Sequence, residues 1–138
     1  MNRGIAQNMM NNEELIEKAR AVVNPREIGH GCTVGNVGCA LLTEKGNLHV
    51  GVCIDTGSGI GFCAEHSAIA SMVTQGEQRI RKIVAVLGDG TILPPCGRCR
   101  EFMRQIDKSN MERTEVLLAS DRTLRLRELL PHPWDEAF

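Results

Sequence analysis

Residues Ile80 to Cys99 read IRKIVAVLGDGTILPPCGRC. The run Ile83-Val84-Ala85-Val86-Leu87 is β-branched and wholly apolar, which predicts a buried strand over 80–87. Gly88-Asp89-Gly90 breaks that strand, and Pro94-Pro95 forces an extended approach to the next element. From Gly97 the apolar positions change period: Cys99, Phe102, Met103 and Ile106 recur at helical spacing, predicting a helix over 97–107. A buried strand leading through prolines into a helix start that carries Cys96 and Cys99 is the kernel from which the rest of the chain is read.

Upstream, residues 63–75 read as a second helix. Its small residues Ala64, Ser67, Ala68, Ala70 and Ser71 predict close packing, and Gly76 is a stop. Residues 56–61 form a glycine-rich loop that matches neither a dinucleotide nor a P-loop pattern. Residues 34–43 and 48–55 read as two antiparallel strands joined at Gly46-Asn47. Residues 12–22 read as a first helix, capped by Asn11 or Asn12, with Glu13 and Glu14 in its first turn. Downstream, Val116 to Ala119 is a strand and Leu124 to Leu126 a candidate fifth. Arg127 to Leu130 is at most one helical turn before Pro131 and Pro133, which leave a tail with Trp134 and Phe138. The order of elements predicts an α/β sandwich around one mixed sheet. The expected organisation is one domain over 1–138, with a flexible tail at 1–11, including Met9 and Met10, and a C-terminal tail at 131–138.

Composition narrows the function classes. The chain has 138 residues, 16 basic against 17 acidic, and a net charge of −1, which gives no support for a nucleic-acid-binding surface. No apolar run approaches the roughly 20 residues of a membrane span, and Met1 to Asn12 lacks the apolar core of a signal peptide, so no membrane partner is expected and the cytoplasm is. In a reducing compartment six cysteines are metal ligands, reactive thiols or core residues rather than three disulfides. The chain has only four aromatics, Phe62, Phe102, Trp134 and Phe138.

Cys63-Ala64-Glu65 is followed, 33 residues after Cys63, by Cys96-Gly97-Arg98-Cys99. Cys96 and Cys99, three apart at a helix start, face one side and can chelate one ion. Cys63 opens another helix, and both starts offer unpaired N–H groups that favour thiolates. Three thiolates and no fourth matching motif predict Zn²⁺ with one open position, the catalytic arrangement. Zinc lowers the pKa of bound water to about 7. Glu65, two residues from a ligand, is the expected general acid/base. Three thiolates on Zn²⁺ leave a formal charge of −1, which Arg98 and His66 are placed to offset. Cys32, Cys39 and Cys53, in apolar contexts, are expected to pack rather than to bind metal.

At these residues the sequence resembles the cytidine deaminase family, whose general zinc signature is His-x-Glu with Pro-Cys-x-x-Cys. Cysteine replaces the histidine here, as in the family's small three-cysteine homotetrameric branch. The resemblance extends to Val37-Gly38-Cys39-Ala40-Leu41-Leu42-Thr43 and to Arg127-Glu128-Leu129-Leu130-Pro131. It implies a three-layer sandwich around one five-stranded mixed sheet, and hydrolytic removal of ammonia from the cytosine ring of a free nucleoside, as in pyrimidine salvage. It implies Cys63, Cys96 and Cys99 as zinc ligands and Glu65 as proton carrier. It also implies that the Ala64 N–H meets the 2-oxo group and the Pro94 carbonyl the 4-amino group. Pockets shared between subunits of a homotetramer are implied too, with Trp134 and Phe138 as candidates to close one.

The departures concern the sugar. The family's Asn-x-Glu, which holds ribose, is Cys53-Ile54-Asp55 here, and its ring-packing phenylalanine falls near Gly35. His66 stands where an arginine often does. Together with Cys-Gly-Arg-Cys-Arg and Arg-Glu-Leu-Leu-Pro, these departures are similar to blasticidin S deaminase, so a cytosine nucleoside antibiotic is an alternative substrate. Two alternatives come from other classes. A structural zinc module would need a fourth ligand, His66 or Cys53. A nucleic-acid-editing deaminase would need a basic groove.

Overall fold

The computed structural model describes residues 10–138. The first helix, α1 (Asn12–Ala21), opens on a capping box: the Glu14 N–H donates to the Asn11 side chain at 2.8 Å, and the Asn11 N–H donates back to Glu14 at 3.2 Å. Met10, which the expected tail included, packs against the apolar cluster under this helix; residues 1–9, Met9 among them, lie outside the described residues. A short β1 (Arg26–Ile28) precedes the long β2 (Cys32–Thr43) and β3 (Leu48–Asp55), which pair as the expected hairpin. Then come α2 (Ala64–Thr74), β4 (Ile80–Leu87), a two-residue β5 (Ile92–Leu93) and α3 (Gly97–Ile106). A one-turn α4 (Asn110–Arg113), β6 (Glu115–Ala119), β7 (Arg122–Arg125) and a one-turn α5 (Leu126–Leu129) complete the chain.

Five strands run in the order β3-β2-β4-β6-β7, with β4 and β6 parallel and the other neighbours antiparallel. Among the described residues the sheet has seven strands rather than the expected five, because β1 lies beside the start of β2 and β5 beside the end of β4. Both additions are three residues or fewer, too short to show a period of two. The last strand also begins two residues before the expected Leu124.

The buried run in β4 explains the three layers. Val84 and Val86, with Ala40, Leu42 and Leu117, face Leu15 and Ala19 of α1. Ile83 and Ala85, with Cys39, Leu41 and Val116, face Ala68, Ile69 and Met72 of α2 and Met103 of α3. Successive residues of a strand point to opposite faces, so a strand covered on both sides reads as an unbroken apolar run. The small residues of α2 let it sit directly on β3, where the Ser67 hydroxyl donates to the Val52 carbonyl at 2.7 Å. Both α2 and α3 therefore start on the same face of the sheet, near the ends of β3 and β5.

Candidate active site

The two helix starts meet. Cys63 is the N-cap of α2 and Cys96 the N-cap of α3, both in extended backbone, and neither sulfur caps its own helix. The Cys63 and Cys96 sulfurs are 3.5 Å apart, and those of Cys96 and Cys99 are 3.6 Å apart. All three lie within 4.8 Å of one another. These separations are far beyond a disulfide bond, and all six cysteines are free. With Zn–S bonds of about 2.3 Å, sulfurs on a tetrahedron stand about 3.8 Å apart, so the donor set fits zinc.

The electrostatics fit the same ion. Burial pushes the Cys99 thiol far up, and the charges of Glu65 and Cys63 push it the same way. Burial also raises Cys63. At Cys96 burial is outweighed by hydrogen bonds, including those from the backbone N–H groups of Cys99 and Arg98, and the thiol is lowered. Three sulfurs this close repel one another as thiolates, and a cation among them lets all three ionise.

His66 and Cys53 do not join the cluster. The His66 ring stacks on Phe102 at 4.6 Å and 9°, and its Nδ1 lies 3.5 Å from the Cys99 sulfur. Burial lowers its pKa, and Arg98 adds to the effect. The Cys53 sulfur instead accepts the Val37 N–H at 3.3 Å. Among the described residues, a structural zinc module would thus lack a fourth donor within this cluster.

The sulfurs open into a cleft of about 420 Å³ between β2, β3, the two helix starts and the β5–α3 connection. That is a size for a small ligand. Ala64, Glu65, Pro94, Cys53, Asp55 and Arg98 line it with Cys63 and Cys96, whereas the predicted Cys99 and His66 are not among its lining residues. Glu65 is only 6% exposed, and burial raises its carboxyl above the usual range. Asp55 is exposed at the end of β3.

The glycine loop earns its composition here. It returns to β3 through paired bonds between Ile54 and Phe62, the Ile54 N–H donating at 3.0 Å and the Phe62 N–H at 2.9 Å. A Cβ on Gly61 would lie 2.2 Å from the Ile54 carbonyl oxygen, so only glycine permits this approach. Arg98 donates to the Gly61 carbonyl at 3.2 Å and ties the loop to the first turn of α3.

Two residues of the site escape sequence reasoning. Asn36 lines the cleft. Arg100 donates to the Pro95 carbonyl at 2.8 Å and to the Leu129 carbonyl at 2.9 Å, tying the turn before α3 to α5. The sequence signal for Arg100 is its place four residues after Cys96, on the same helix face. Asn36 carries no signal, because only the pairing register reveals where it sits. Trp134 and Phe138 do not line the cleft of their own chain.

Known proteins extend these observations. Residues 9–113 match the family model described as the cytidine and deoxycytidylate deaminase zinc-binding region. A probable cytidine deaminase of Dictyostelium discoideum is 36% identical over 98 residues, spanning 67% of this chain and 65% of that protein's length. The cytidine deaminase of Mycobacterium tuberculosis H37Rv is 33% identical over 97 residues, 69% of each chain. The crystal structure of cytidine deaminase from Mycobacterium tuberculosis superposes with a TM-score of 0.75 at 25% identity, covering 91% of this chain and 98% of that one. These likenesses do not show the narrower similarity to blasticidin S deaminase.

Proposed function

This chain belongs to the family of zinc-binding cytidine and deoxycytidylate deaminases, and from that premise we propose that it hydrolyses the cytosine ring of a free nucleoside to uracil with release of ammonia. The observation that carries the reading is the meeting of three sulfurs, all within 4.8 Å of one another, with one buried carboxyl beside a cleft of small-ligand size. Cys63, Cys96 and Cys99 hold the zinc, which when bound supplies the Lewis acidity that makes a water nucleophilic near neutral pH.

The chain's own groups do the rest. The Glu65 carboxylate takes a proton from the attacking water and delivers it to ring N3, then carries the proton of the hydroxyl added at C4 to the amine, which leaves as ammonia as the C4 carbonyl forms. Its raised pKa suits a group that must both accept and give. The first-turn amide of Ala64 has no partner within its helix and is free for the 2-oxo group. Arg100 occupies the Pro95 carbonyl and holds the turn, and Pro94, which lines the cleft, offers its carbonyl to the 4-amino group. Asp55 accepts from a sugar hydroxyl, with Cys53 beside it on β3. Arg98 and His66 offset the excess negative charge of the thiolates.

The assembly is a homotetramer in the cytoplasm, serving pyrimidine salvage. Six free thiols suit a reducing compartment. Trp134 and Phe138, 66% and 81% exposed, are held on the outside of α3: the Trp134 N–H donates to Glu101, and Asp135 pairs with Arg104 at 3.4 Å. Their exposure supports a role in covering a neighbouring subunit's cleft. Light scattering is expected to give the mass of four chains; a monomer would remove that role.

Ultraviolet-monitored deamination by the zinc-loaded protein tests the activity, with cytidine, deoxycytidine and blasticidin S side by side. Turnover of cytidine or deoxycytidine is expected. Turnover of blasticidin S alone would overturn the substrate assignment, and turnover of none would overturn the reaction.

A further inference from the structure

The strand ladder beside the cleft carries an irregularity whose consequence is chemical. Val34 pairs with Ile54, and the next partners are Gly38 and Val52. Three residues of β2, Gly35, Asn36 and Val37, thus stand opposite Cys53 alone. Such bulges re-aim a side chain and are frequent beside active sites. This one is fixed from both sides. Gly35 has φ +82°, and a Cβ there would lie 2.2 Å from the Asn24 carbonyl oxygen, while the Gly35 carbonyl accepts the Asn24 N–H at 2.9 Å. On the other side the Val37 N–H donates to the Cys53 sulfur at 3.3 Å. Between these anchors Asn36 is exposed and lines the cleft together with Cys53 and Asp55.

A thiol cannot offer the paired donor and acceptor of a carboxamide, and the Cys53 sulfur already accepts an N–H from the bulge. The carboxamide at this end of the cleft is that of Asn36. Resting on the deaminase reading above, we propose that Asn36 is the specificity-determining residue for the nucleoside sugar, giving and accepting hydrogen bonds with its hydroxyls beside Asp55, while Cys53 serves to hold the bulge that presents it. Recognition of the sugar is thereby split between two strands, the donor-acceptor group on β2 and the carboxylate on β3.

The test uses the zinc-loaded full chain and compares cytidine, 2′-deoxycytidine and 3′-deoxycytidine. Asn36→Ala is expected to raise KM for cytidine about tenfold with kcat within about twofold, the size of one lost polar contact. It should also erase the wild-type preference between cytidine and at least one deoxy analogue. Asn36→Gln, which keeps the amide, should restore part of that preference. Zinc content should not change in either variant. A KM for cytidine within twofold of wild type, or one raised equally for all three nucleosides, would overturn the proposal, since a merely structural role moves all three together. Equilibrium binding of uridine is measured in parallel. A wild-type protein that binds uridine but deaminates nothing would overturn the deaminase reading, and the loss of uridine affinity in Asn36→Ala would still decide the role of Asn36.

Discussion

The two ends of the cleft are built differently. At one end Cys63, Glu65, Cys96 and Cys99 all sit in the caps and first turns of two helices that pack on the sheet, and Ala64 and Cys99 are almost wholly buried. At the other end Asn36, Cys53 and Asp55 sit on a bulged strand, its partner and the approach to a glycine-rich loop. Reaction geometry tolerates little displacement, so its groups ride on rigid elements. Substrate recognition is varied on bulges and loops. Changes at the helix end should therefore act on metal content and kcat, and changes at the strand end on KM.

The largest effects test the helix end. Cys99→Ala is expected to lose zinc and to reduce deamination to background, measured by metal analysis and the ultraviolet assay. The same substitution at His66, which touches only Cys99 among the three ligands, should leave the zinc in place. Loss of metal from both variants would make His66 a fourth ligand and the site a closed, structural one. Glu65→Gln removes the proposed proton carrier without touching a cysteine of the cluster. It should retain zinc and lose about 10²–10⁴-fold in kcat, the range of general acid/base catalysis. Near-wild-type turnover would sink its assignment.

The same contrast explains which features are legible in the amino-acid sequence. The helix end is legible because its signals are local: Cys-Ala-Glu and Cys-x-x-Cys at helix starts fix which side chains share a face over a few residues. The layers are legible because Ile83 to Leu87 is apolar on both faces. The strand end is not. Whether residue 36 or residue 53 presents a polar group depends on register, and a bulge changes register without a unique sequence mark. In sequence Gly35 marks the place of a missing phenylalanine, whereas its structural weight is the positive φ and the contact with Asn24. The short β1, β5 and α4 escape sequence reading because two to four residues carry no measurable period.

Asp55 probes the strand end directly. Asp55→Ala should raise KM for cytidine about tenfold, with kcat and zinc content little changed. A fall in kcat of Glu65→Gln size would break the division of labour, because the carboxylate would then be acting on the ring rather than on the sugar.

The smallest effect asks whether the helix end is rigid in its own right or depends on how α3 finishes. Asp107 follows the last residue of α3. Burial pushes its carboxyl up, but hydrogen bonds from Ser109, Gln78 and Arg79 outweigh it and hold the group well below the usual carboxylate range. A carboxyl lowered in the folded state contributes stability that is present above its unfolded pKa of about 3.9 and is lost as pH falls through the folded value. Asp107→Asn should therefore cost about 1–2 kcal/mol at pH 7, read by urea denaturation, and flatten the wild-type loss of stability below about pH 4. If the first turn of α3 is held by its own packing and by Arg100, zinc affinity and both kinetic constants at pH 7 will be unchanged. A weaker hold on zinc in Asp107→Asn would mean that the geometry of Cys96 and Cys99 is set from the far end of their helix, and the contrast between a rigid metal end and an adaptable sugar end would have to be redrawn around the whole of α3.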